Sequence, residues 1–371
     1  MSKVMTAARK AKLTKRRRPA GSAVERVTKA AIAMREGLPV AIRDGRRAFL
    51  VYSVETLSAA ALGKLNRSAR LVVTHARART LKMRLYTPQV VALALDKGAT
   101  PDRLRAIADP TFDLAEPLKG PFEALRETLP LAFAASIKLA KLSGLLPATV
   151  VAPATRIPSG AVRLSSADVE DYERQSIETL TLVTRARVPL AGAENTELVA
   201  FRARDGGPEH YAVVIGAPAS NKPVLTRLHS ECFTGDLLDS LKCDCGAQLR
   251  GAIETIEKSG GGLLLYLAQE GRGIGLINKL RAYRLQDQGF DTHAANERLG
   301  FEPDERLYGI AARMLSLLGY KSIRLLTNNP SKVKALEALG IKVAARVPHR
   351  FASNIHNRAY LKAKASAGHL L

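Results

Sequence analysis

RLHSECFTGDLLDSLKCDCGAQ, residues 227–248, contains all three cysteines of the 371-residue chain: Cys232, Cys243 and Cys245. An odd number of cysteines in one short stretch does not fit a disulfide framework, which needs an even number and a secreted context. Grouped thiolates are instead typical of a Zn²⁺ site. Structural zinc usually has four protein ligands, whereas catalytic zinc has three and leaves a position for water, whose pKa it lowers. Three thiolates therefore predict a hydrolytic zinc.

Two other interpretations of this stretch stay open from the sequence alone. His229 or Asp244 would complete the zinc shell as a fourth protein ligand and remove the open position. Alternatively, the three cysteines are reduced and buried without a metal, although buried cysteines of that kind are not expected to be grouped.

A glycine-spaced loop follows the cysteines. Residues 263–268 are apolar and predict a buried strand, after which residues 269–275 read QEGRGIG and open a helix that reaches about residue 288. A loop of this kind at a helix N-terminus presents backbone N–H groups that suit phosphate. Arg272, inside the loop, adds a cation to this predicted phosphate site.

The last part of the chain predicts a parallel sheet. Residues 323–326 predict a strand, residues 327–330 a turn, and residues 331–339 a helix that precedes another strand. Thr327 and Lys332 would then lie beyond the carboxyl end of a strand, where ligands commonly bind. A lysine in the first turn of a helix opposes the helix dipole, and a bound anion would offset this cost.

The first half alternates helical and strand-like patterns. The patterns predict helices at 24–35, 90–95, 103–107 and 167–175, strands at 40–42, 48–51 and 71–74, and a helix, a Gly144 turn and a buried strand between 129 and 154. Residues 165–168, which read SSAD, are predicted to cap the helix at 167–175. Strand patterns dominate from residue 180 to residue 214.

From Arg227 to the C-terminus the sequence resembles GTP cyclohydrolase II. The matching motifs are R-x-H-S-E-C-x-T-G-D at 227–236, C-D-C-G-x-Q-L at 243–249, Q-E-G-R-G-I-G-L at 269–276, N-K-x-R-A-Y at 278–283, L-G-F…D-x-R at 299–306, L-L-T-N-N-P-x-K at 325–332, and a terminal pattern around Asn354, Asn357 and Tyr360. The resemblance implies hydrolysis of GTP to a diamino-ribosylamino-pyrimidinone phosphate, formate and pyrophosphate, the first step of riboflavin synthesis.

The same resemblance implies the ligands and their binding residues. One Zn²⁺ per subunit would be held by Cys232, Cys243 and Cys245, and Mg²⁺ would accompany the GTP substrate. The residues implied as GTP contacts are Arg227, Leu228, His229, Ser230, Glu231, Gln248, Glu270, Gly271, Arg272, Thr292, Thr327 and Lys332.

Three further residues would carry chemistry. The resemblance implies a covalent guanylyl intermediate on Arg306, with Asp304 as proton acceptor. A guanidinium with a pKa above about 12 is a poor nucleophile, so stabilisation of charge by Arg306 is an equal alternative. Tyr283 is implied to accompany complete ring opening, because relatives without this tyrosine are expected to stop at the formamide.

Residues 24–160 faintly resemble dihydroxybutanone-phosphate synthase. The acidic run and the Gly-His-Thr motif of that family are absent, since the chain reads GRRAFLVYS at 45–53 and LAF at 131–133. Without these groups nothing would hold Mg²⁺ or remove a proton. The predicted architecture is α/β with two domains: a degenerate, non-catalytic α+β synthase-like domain at 24–160 and an α/β/α cyclohydrolase domain at 161–371.

The net charge of +23 favours polyanionic partners. Part of it lies in residues 1–23, predicted to be a basic disordered tail, and nucleic acid would bind only through this tail. No membrane span is predicted, and a cytoplasmic homodimer is expected. The competing functions are a GTP-binding sensor or scaffold without turnover, and a variant cyclohydrolase that stops at the formamidopyrimidine. The histidines His75, His210, His293 and His349 are predicted to be surface or satisfied core residues.

Overall fold

A computed structural model of the protein describes residues 22–96 and 98–351. Within these residues the chain forms two sheets with helices packed on them. The predicted basic tail and the terminal pattern around Asn354, Asn357 and Tyr360 lie outside the described residues, apart from 22 and 23. Among the residues described, no helix is both long enough and apolar enough to cross a membrane.

The first half is built around a sheet with the strand order β4-β3-β5-β2-β1-β6. Its elements are α1 (Ala23–Arg35), β1 (Val40–Asp44), β2 (Arg47–Ser53), α2 (Ala59–Gly63), β3 (Arg70–Thr74), α3 (His75–Thr80), β4 (Val90–Ala94), α4 (Pro101–Ala108), α5 (Leu131–Leu142), β5 (Ala148–Pro153), β6 (Val162–Ser165) and α6 (Ser166–Glu178).

The helix predicted at 90–95 is wrong. This segment is the edge strand β4, which pairs antiparallel with β3 from Val90 opposite Thr74 to Ala94 opposite Arg70. Its first four residues are buried, so the sequence is a continuous apolar run without alternation. A short run of this kind cannot be assigned to a helix or a strand by periodicity alone.

The first sheet continues past residue 160, where the domain boundary was predicted. β6 pairs parallel with β1, and α6 packs against α1 and α5. The cap of α6 lies in the predicted stretch 165–168, and its cap residue is Ser165. The Ser165 side chain accepts from the backbone N–H of Asp168, and the Asp168 side chain accepts from the backbone N–H of Ser165. Arg26 of α1 also pairs with Asp168 at 2.7 Å. Both elements therefore belong to the first structural unit.

The second half is built around a sheet with the strand order β13-β12-β10-β11-β9-β8-β7. Its elements are β7 (Thr181–Arg187), β8 (Thr196–Arg202), β9 (His210–Ile215), β10 (Val224–Ser230), α7 (Cys245–Lys258), β11 (Gly262–Leu267), α8 (Leu276–Asp287), α9 (Thr292–Arg298), α10 (Tyr308–Leu317), β12 (Ser322–Leu326), α11 (Pro330–Ala338) and β13 (Lys342–Val347).

The predicted parallel sheet is confirmed in this half. β10 pairs parallel with β11 and with β12, and β12 pairs parallel with β13. Apolar residues of α10 and α11 pack on one face of the sheet, while α7 covers the other. The carboxyl ends of β10, β11 and β12 consequently meet at one edge, which is where open α/β sheets bind ligands.

One apolar core joins the two halves. Leu71 and Val73 of β3 lie in the same buried cluster as Leu285 of α8 and Leu299, which follows α9. All four side chains are at most 1% exposed. Since burial of apolar area is the main favourable term in folding, α8 and α9 are held by both halves of the chain.

Candidate active site

The three cysteines converge at the carboxyl end of β10. Cys232 lies just beyond this strand and Cys245 begins α7, and the three Sγ atoms all lie within 4.8 Å of one another. The Sγ atoms of Cys232 and Cys243 are 3.8 Å apart, and none of the three forms a disulfide. Tetrahedral zinc with bonds of about 2.3 Å to sulfur places two thiolates about 3.8 Å apart, so this donor set fits zinc.

Gly235 makes room for the three sulfurs. It lies in a π-helical turn at Phe233–Leu237, directly against the cysteine group. A Cβ atom at this position would lie 2.7 Å from the Sγ of Cys243 and 3.1 Å from the Sγ of Cys232. Any larger residue would therefore displace a predicted metal ligand.

Neither alternative fourth ligand joins the cysteine group among the described residues. The Nε2 atom of His229 lies 3.0 Å from Oδ1 of Asp236, and its ring stacks on Tyr266 with 5.6 Å between centroids. The carboxylate of Asp244 accepts a hydrogen bond from the side-chain amide of Gln248. The arrangement therefore favours three thiolate ligands with one position left for another group.

Asp236 organises the strand end that carries Cys232. Its carboxylate accepts from the backbone N–H of Cys232 at 3.0 Å and from the hydroxyl of Tyr266 at 3.0 Å, and it contacts His229. The side chain is only 7% exposed, which strengthens these contacts. Sequence reasoning treated Asp236 only as part of a motif, since its partners lie on two different strands.

Replacing Asp236 with asparagine is expected to weaken zinc binding by about 10- to 100-fold, a typical loss for residues that orient metal ligands. An amide offers one acceptor oxygen in place of two, and its NH₂ group would face the N–H and O–H donors that now bind the carboxylate. Titration of the protein against a zinc chelator measures the change. Asp239→Asn is the matched control, because Asp239 is 76% exposed. Equal zinc affinity in both variants would contradict the role given to Asp236.

Lys279 of α8 joins the cysteine group to the glycine-spaced loop. Its Nζ lies 3.0 Å from the Sγ of Cys232, 2.8 Å from Oγ1 of Thr234 and 2.9 Å from Oε1 of Glu270. Although burial acts in the opposite direction, Cys232 and Glu270 raise the pKa of Lys279 above its ordinary value. The ammonium therefore stays charged beside the sulfurs. Sequence reasoning missed this residue, since a lysine on a helix is usually solvated.

The predicted nucleotide contacts lie around one cavity beside the cysteine group. The cavity is lined by Cys232, Cys243, Cys245, Arg227, Leu228, His229, Ser230, Glu231, Gln248, Glu270, Gly271, Arg272, Tyr283, Thr292, Arg306, Thr327 and Lys332. Asp304 is not among the lining residues, but it forms an ion pair with Arg306, which lines the cavity. Lining residues that sequence reasoning did not select include Lys279, Asn296, Asn328, Asn329 and His349.

A buried cation lies on the inner wall of this cavity. Arg227 is 6% exposed and donates to the carbonyl of Leu326 at 3.0 Å and to the side chain of Gln248. Burial lowers the pKa of Arg227 to about 10, so the guanidinium stays charged at neutral pH. Such a desolvated cation attracts anionic or strongly polar ligand groups.

His349 was predicted to be an ordinary surface or core histidine, yet it lines the cavity. It is 5% exposed, and its Nε2 lies 2.9 Å from the carbonyl oxygen of Gln248. Burial and the nearby charge of Arg227 lower the pKa of His349 to about 4, so the ring is neutral and donates this bond. Its backbone N–H donates to Asn328 at 2.8 Å, which fixes the turn after β12. No sequence spacing reveals this contact.

Two loops carry residues that line the cavity: the glycine-spaced loop at 269–275 and a second loop at 302–306. In the glycine-spaced loop, Gly271 and Arg272 both have a φ of 64°. The backbone N–H of Glu305 donates to the carbonyl of Arg272 at 3.0 Å. A Cβ atom on Gly273 would lie 2.6 Å from the carbonyl oxygen of Glu305, so a glycine is needed for this approach.

Asp304 and Arg306 form a two-pronged ion pair on the second loop. The Nε and Nη2 atoms of Arg306 lie 2.7 and 2.6 Å from the two carboxylate oxygens of Asp304, and the hydroxyl of Tyr308 donates to the same carboxylate at 2.9 Å. Burial acts in the opposite direction, but these donors lower the pKa of Asp304 below its ordinary value. The carboxylate is therefore ionised and orients the guanidinium.

Tyr283 lies on α8, one turn after Lys279. The Nζ atom of Lys279 is 5.6 Å from its ring centroid, and that of Lys242 is 5.3 Å away. Burial raises the pKa of Tyr283 to about 12, so its hydroxyl keeps its proton at neutral pH. The side chain can donate a hydrogen bond to a group bound between it and the cysteines.

The comparisons with known proteins agree with this geometry. Residues 181–348 match the family model for GTP cyclohydrolase II. A protein from Azospirillum brasilense named GTP cyclohydrolase-2 is 48% identical over 94% of this chain and 94% of its own length. Another of that name, from Azotobacter vinelandii, is 59% identical over 44% of this chain and 80% of its own length.

A solved two-domain 3,4-dihydroxy-2-butanone 4-phosphate synthase from A. baumannii is 15% identical to this chain. The match covers 83% of this chain and 96% of that one, with a TM-score of 0.33, which is too low to assign a fold. The full-length similarity to the Azospirillum brasilense protein is much stronger. The chain belongs to the GTP cyclohydrolase II family.

Proposed function

We propose that the protein hydrolyses GTP, with release of formate and pyrophosphate, as an enzyme of riboflavin biosynthesis. The observation that carries the proposal is the position of the three-thiolate group on the wall of the cavity lined by the nucleotide-binding residues implied by the family. Its relatives are named for this activity. An anion-binding loop alone would fit many nucleotide-binding proteins, whereas the combination with a zinc-type donor set fits hydrolysis of the base.

Cys232, Cys243 and Cys245, which line the cavity, would hold one Zn²⁺. Zinc bound there would supply the activation of a water for hydrolysis at the imidazole carbon of guanine. Asp236 fixes the backbone of Cys232, while Lys279 balances the negative charge of the thiolates. Both residues keep the donor set in place before a substrate binds.

The guanine base would bind beside the zinc ligands and be recognised by hydrogen bonds to its edge. Burial, together with the nearby carboxylates of Glu270 and Asp236, raises the pKa of Glu231. A desolvated carboxylate in this environment is stabilised by N–H donors such as those on the edge of guanine. Gln248, held by Arg227, offers a second polar group for the base.

The triphosphate would lie at the carboxyl end of β12 and against the glycine-spaced loop. Lys332 is 7% exposed, and its Nζ donates to the carbonyl of Leu228 at 3.2 Å. This hydrogen bond holds the ammonium group at the cavity wall. Thr327 is 2% exposed and begins the adjoining turn. Arg272, in the glycine-spaced loop, also lines the cavity. Mg²⁺ bound to GTP would neutralise the negative charge of the triphosphate that these side chains do not neutralise themselves.

Release of pyrophosphate would take place at Arg306. Its ion pair with Asp304 orients the guanidinium and provides a carboxylate that can accept a proton. Two roles are consistent with this arrangement: attack by Arg306 on the α-phosphorus, with Asp304 taking the proton, or stabilisation of the charge that develops on the phosphate. A trapped covalent guanylyl adduct on Arg306 would decide for the first.

Replacing Tyr283 with phenylalanine is expected to lower formate release by about 10²-fold, a typical loss when one hydrogen-bond donor is removed from a catalytic site. Pyrophosphate release should change less, because Tyr283 lies beside the cysteines and not beside Arg306. Separate assays of formate and pyrophosphate measure the two effects. The control is Tyr211→Phe, on β9 outside the lining of the cavity. Equal losses of both products would contradict the assignment of Tyr283 to ring opening.

The first half would not catalyse a reaction of its own. We place the division between the two units near residues 179–180, after α6, in place of residue 160. An assay for dihydroxybutanone-phosphate synthesis should show no activity with this protein.

The homodimer, the cytoplasmic location and nucleic-acid binding by the basic tail remain predictions. Sedimentation, cell fractionation and salt-dependent binding experiments, respectively, test them.

The test of the proposed function is a joint assay of formate and pyrophosphate with GTP, Mg²⁺ and zinc-loaded protein. Release of both products in equal amounts supports the proposal. GTP binding without either product would favour the sensor or scaffold. Pyrophosphate without formate would indicate a reaction that stops before ring opening is complete.

A further inference from the structure

The first half of the chain makes polar contacts with two segments that carry the proposed catalytic residues. One segment is the loop at 302–306, which holds Asp304 and Arg306. The other is α8, which holds Lys279 and Tyr283. We propose that the first half is a positioning element for the cyclohydrolase site, and that Lys141 and Glu55 are its principal positioning residues.

Lys141 reaches the loop from the last turn of α5. Its Nζ lies 2.5 Å from Oε1 of Glu305, and the two side chains are 21% and 20% exposed. Glu305 stands between Asp304 and Arg306 in the chain, and its Oε1 also accepts from the backbone N–H of Glu302 at 2.8 Å. One carboxylate oxygen thus connects α5 to both ends of the catalytic loop.

Glu55 fixes the outer side of α8. Its two carboxylate oxygens lie 2.8 and 3.3 Å from the guanidinium nitrogens of Arg281, and Asp109 lies 3.3 Å from the Nε of the same residue. Arg281 is 19% exposed, so this pair of acids neutralises a largely desolvated cation. Arg281 lies between Lys279 and Tyr283 in the sequence. A change in the axial rotation of α8 would move both of those side chains.

A buried amide adds a third contact. Asn278 is fully buried and donates from its Nδ2 to the carbonyl of Gly144 at 3.3 Å, just beyond α5, and to that of Ile274 at 3.0 Å. It therefore connects the end of α5 to the first turn of α8. The ion pairs and this amide add polar contacts to the apolar core that the two halves share.

These contacts are made by the first half of the chain, and the cyclohydrolase unit alone could not make them. The relative from Azotobacter vinelandii is about half as long as this chain, since the 166 matched residues make up 80% of it. In a short relative, the outer surfaces of α8 and of the loop would need another support. In this chain they are contacted by the first half, which thereby has a structural role at the cyclohydrolase site.

The two supports predict separable effects, an inference that rests on the proposed function. Lys141 acts on the loop of Asp304 and Arg306, so its loss should affect pyrophosphate release first. Glu55 acts on α8, so its loss should affect formate release first. Small displacements of catalytic groups can cost up to about 10²-fold in rate. Binding of GTP should change little, since neither residue lines the cavity.

The first variant is Lys141→Met, with Lys138→Met as the matched control. Lys138 lies one turn earlier on α5 and pairs with Glu173 of α6 at 3.2 Å, within the first half. Lys141→Met is expected to lower kcat for pyrophosphate release about tenfold with less than about a twofold change in KM. Lys141→Arg should recover most of this loss, and the control should stay within about twofold of the original protein.

The second variant is Glu55→Gln, which removes the charge but keeps an acceptor for the backbone N–H of Leu146. Asp96→Asn is its control, because Asp96 is 68% exposed and pairs with Arg103 inside the first half. Glu55→Gln is expected to lower formate release about tenfold and to change pyrophosphate release less. The two product ratios should therefore shift in opposite directions.

Amide hydrogen exchange gives a readout that does not need turnover. Exchange at 302–306 should be faster in Lys141→Met, and exchange in α8 faster in Glu55→Gln, with no change in the two controls. These shifts would support the inference even if GTP hydrolysis failed. Unchanged exchange in both variants would overturn it. So would an equal loss of both products accompanied by a fall in Tm, since that result indicates a general loss of stability.

Discussion

Replacing Cys243 with serine is expected to remove the bound zinc and to lower formate release by about 10³-fold or more. The sulfur of Cys243 lies 3.8 Å from that of Cys232, and the three thiolates form the whole donor set among the described residues. Loss of one thiolate leaves two ligands, which cannot hold zinc in the required geometry. Metal activation is worth several kcal/mol, which corresponds to at least three decades in rate.

The control for this variant is Ser240→Ala. Ser240 lies three residues earlier, and its side chain accepts only from the exposed backbone N–H of Lys242 among the hydrogen bonds of the described residues. Zinc content by metal analysis and formate release should both be normal in this control. A Cys243→Ser protein that released formate at a normal rate without zinc would contradict the assignment of the metal centre.

Replacing Arg306 with lysine is expected to lower pyrophosphate release by about 10²- to 10³-fold. Two nitrogens of Arg306 bind the two oxygens of Asp304 at 2.7 and 2.6 Å, which only a planar guanidinium can do. A lysine keeps one positive charge but cannot form the two-nitrogen contact with Asp304 that orients this charge. Loss of a single aligned donor to a developing charge costs about 10²- to 10³-fold in known active sites.

Arg324→Lys is a suitable control for the arginine variant, because Arg324 is an exposed residue of β12. GTP binding should be nearly unchanged in Arg306→Lys, while the rate of pyrophosphate release falls. If the variant released pyrophosphate at the original rate, Arg306 would have neither the nucleophilic nor the charge-stabilising role. Mass spectrometry of the original protein, quenched during turnover, tests for the covalent adduct.

The sequence was informative where local patterns determine the structure. The cysteine stretch could be identified because three thiols of a rare residue type occur close together. The parallel strands at 263–268 and 323–326 could be predicted from apolar runs followed by glycine or asparagine turns. The helix cap within residues 165–168 could be predicted because capping depends on neighbouring residues only.

The sequence was less informative where distant residues meet. Asp236 and Lys279 act through contacts with other strands and helices, and His349 reaches the cavity after β13. Such contacts require the fold to be known. The edge strand β4 was mistaken for a helix because all of its buried residues are apolar, which removes the alternation expected of a half-exposed strand.

The domain boundary also depends on tertiary pairing. Residues 156–161 contain proline and glycine, which are typical of a linker, yet β6 follows at once and pairs with β1. The ion pairs of Lys141 and Glu55 could not be expected either, because charged residues on helices and after strands are usually solvated. These contacts connect the two units, and no local sequence pattern indicates them.

The most direct test of the central claim is a zinc titration of metal-free protein in the presence of GTP and Mg²⁺. Formate release should rise in proportion to added zinc and reach its plateau at one zinc per chain, with pyrophosphate in equal amounts. Formate release that is independent of zinc, or a zinc-loaded protein that binds GTP and releases neither product, would contradict the claim.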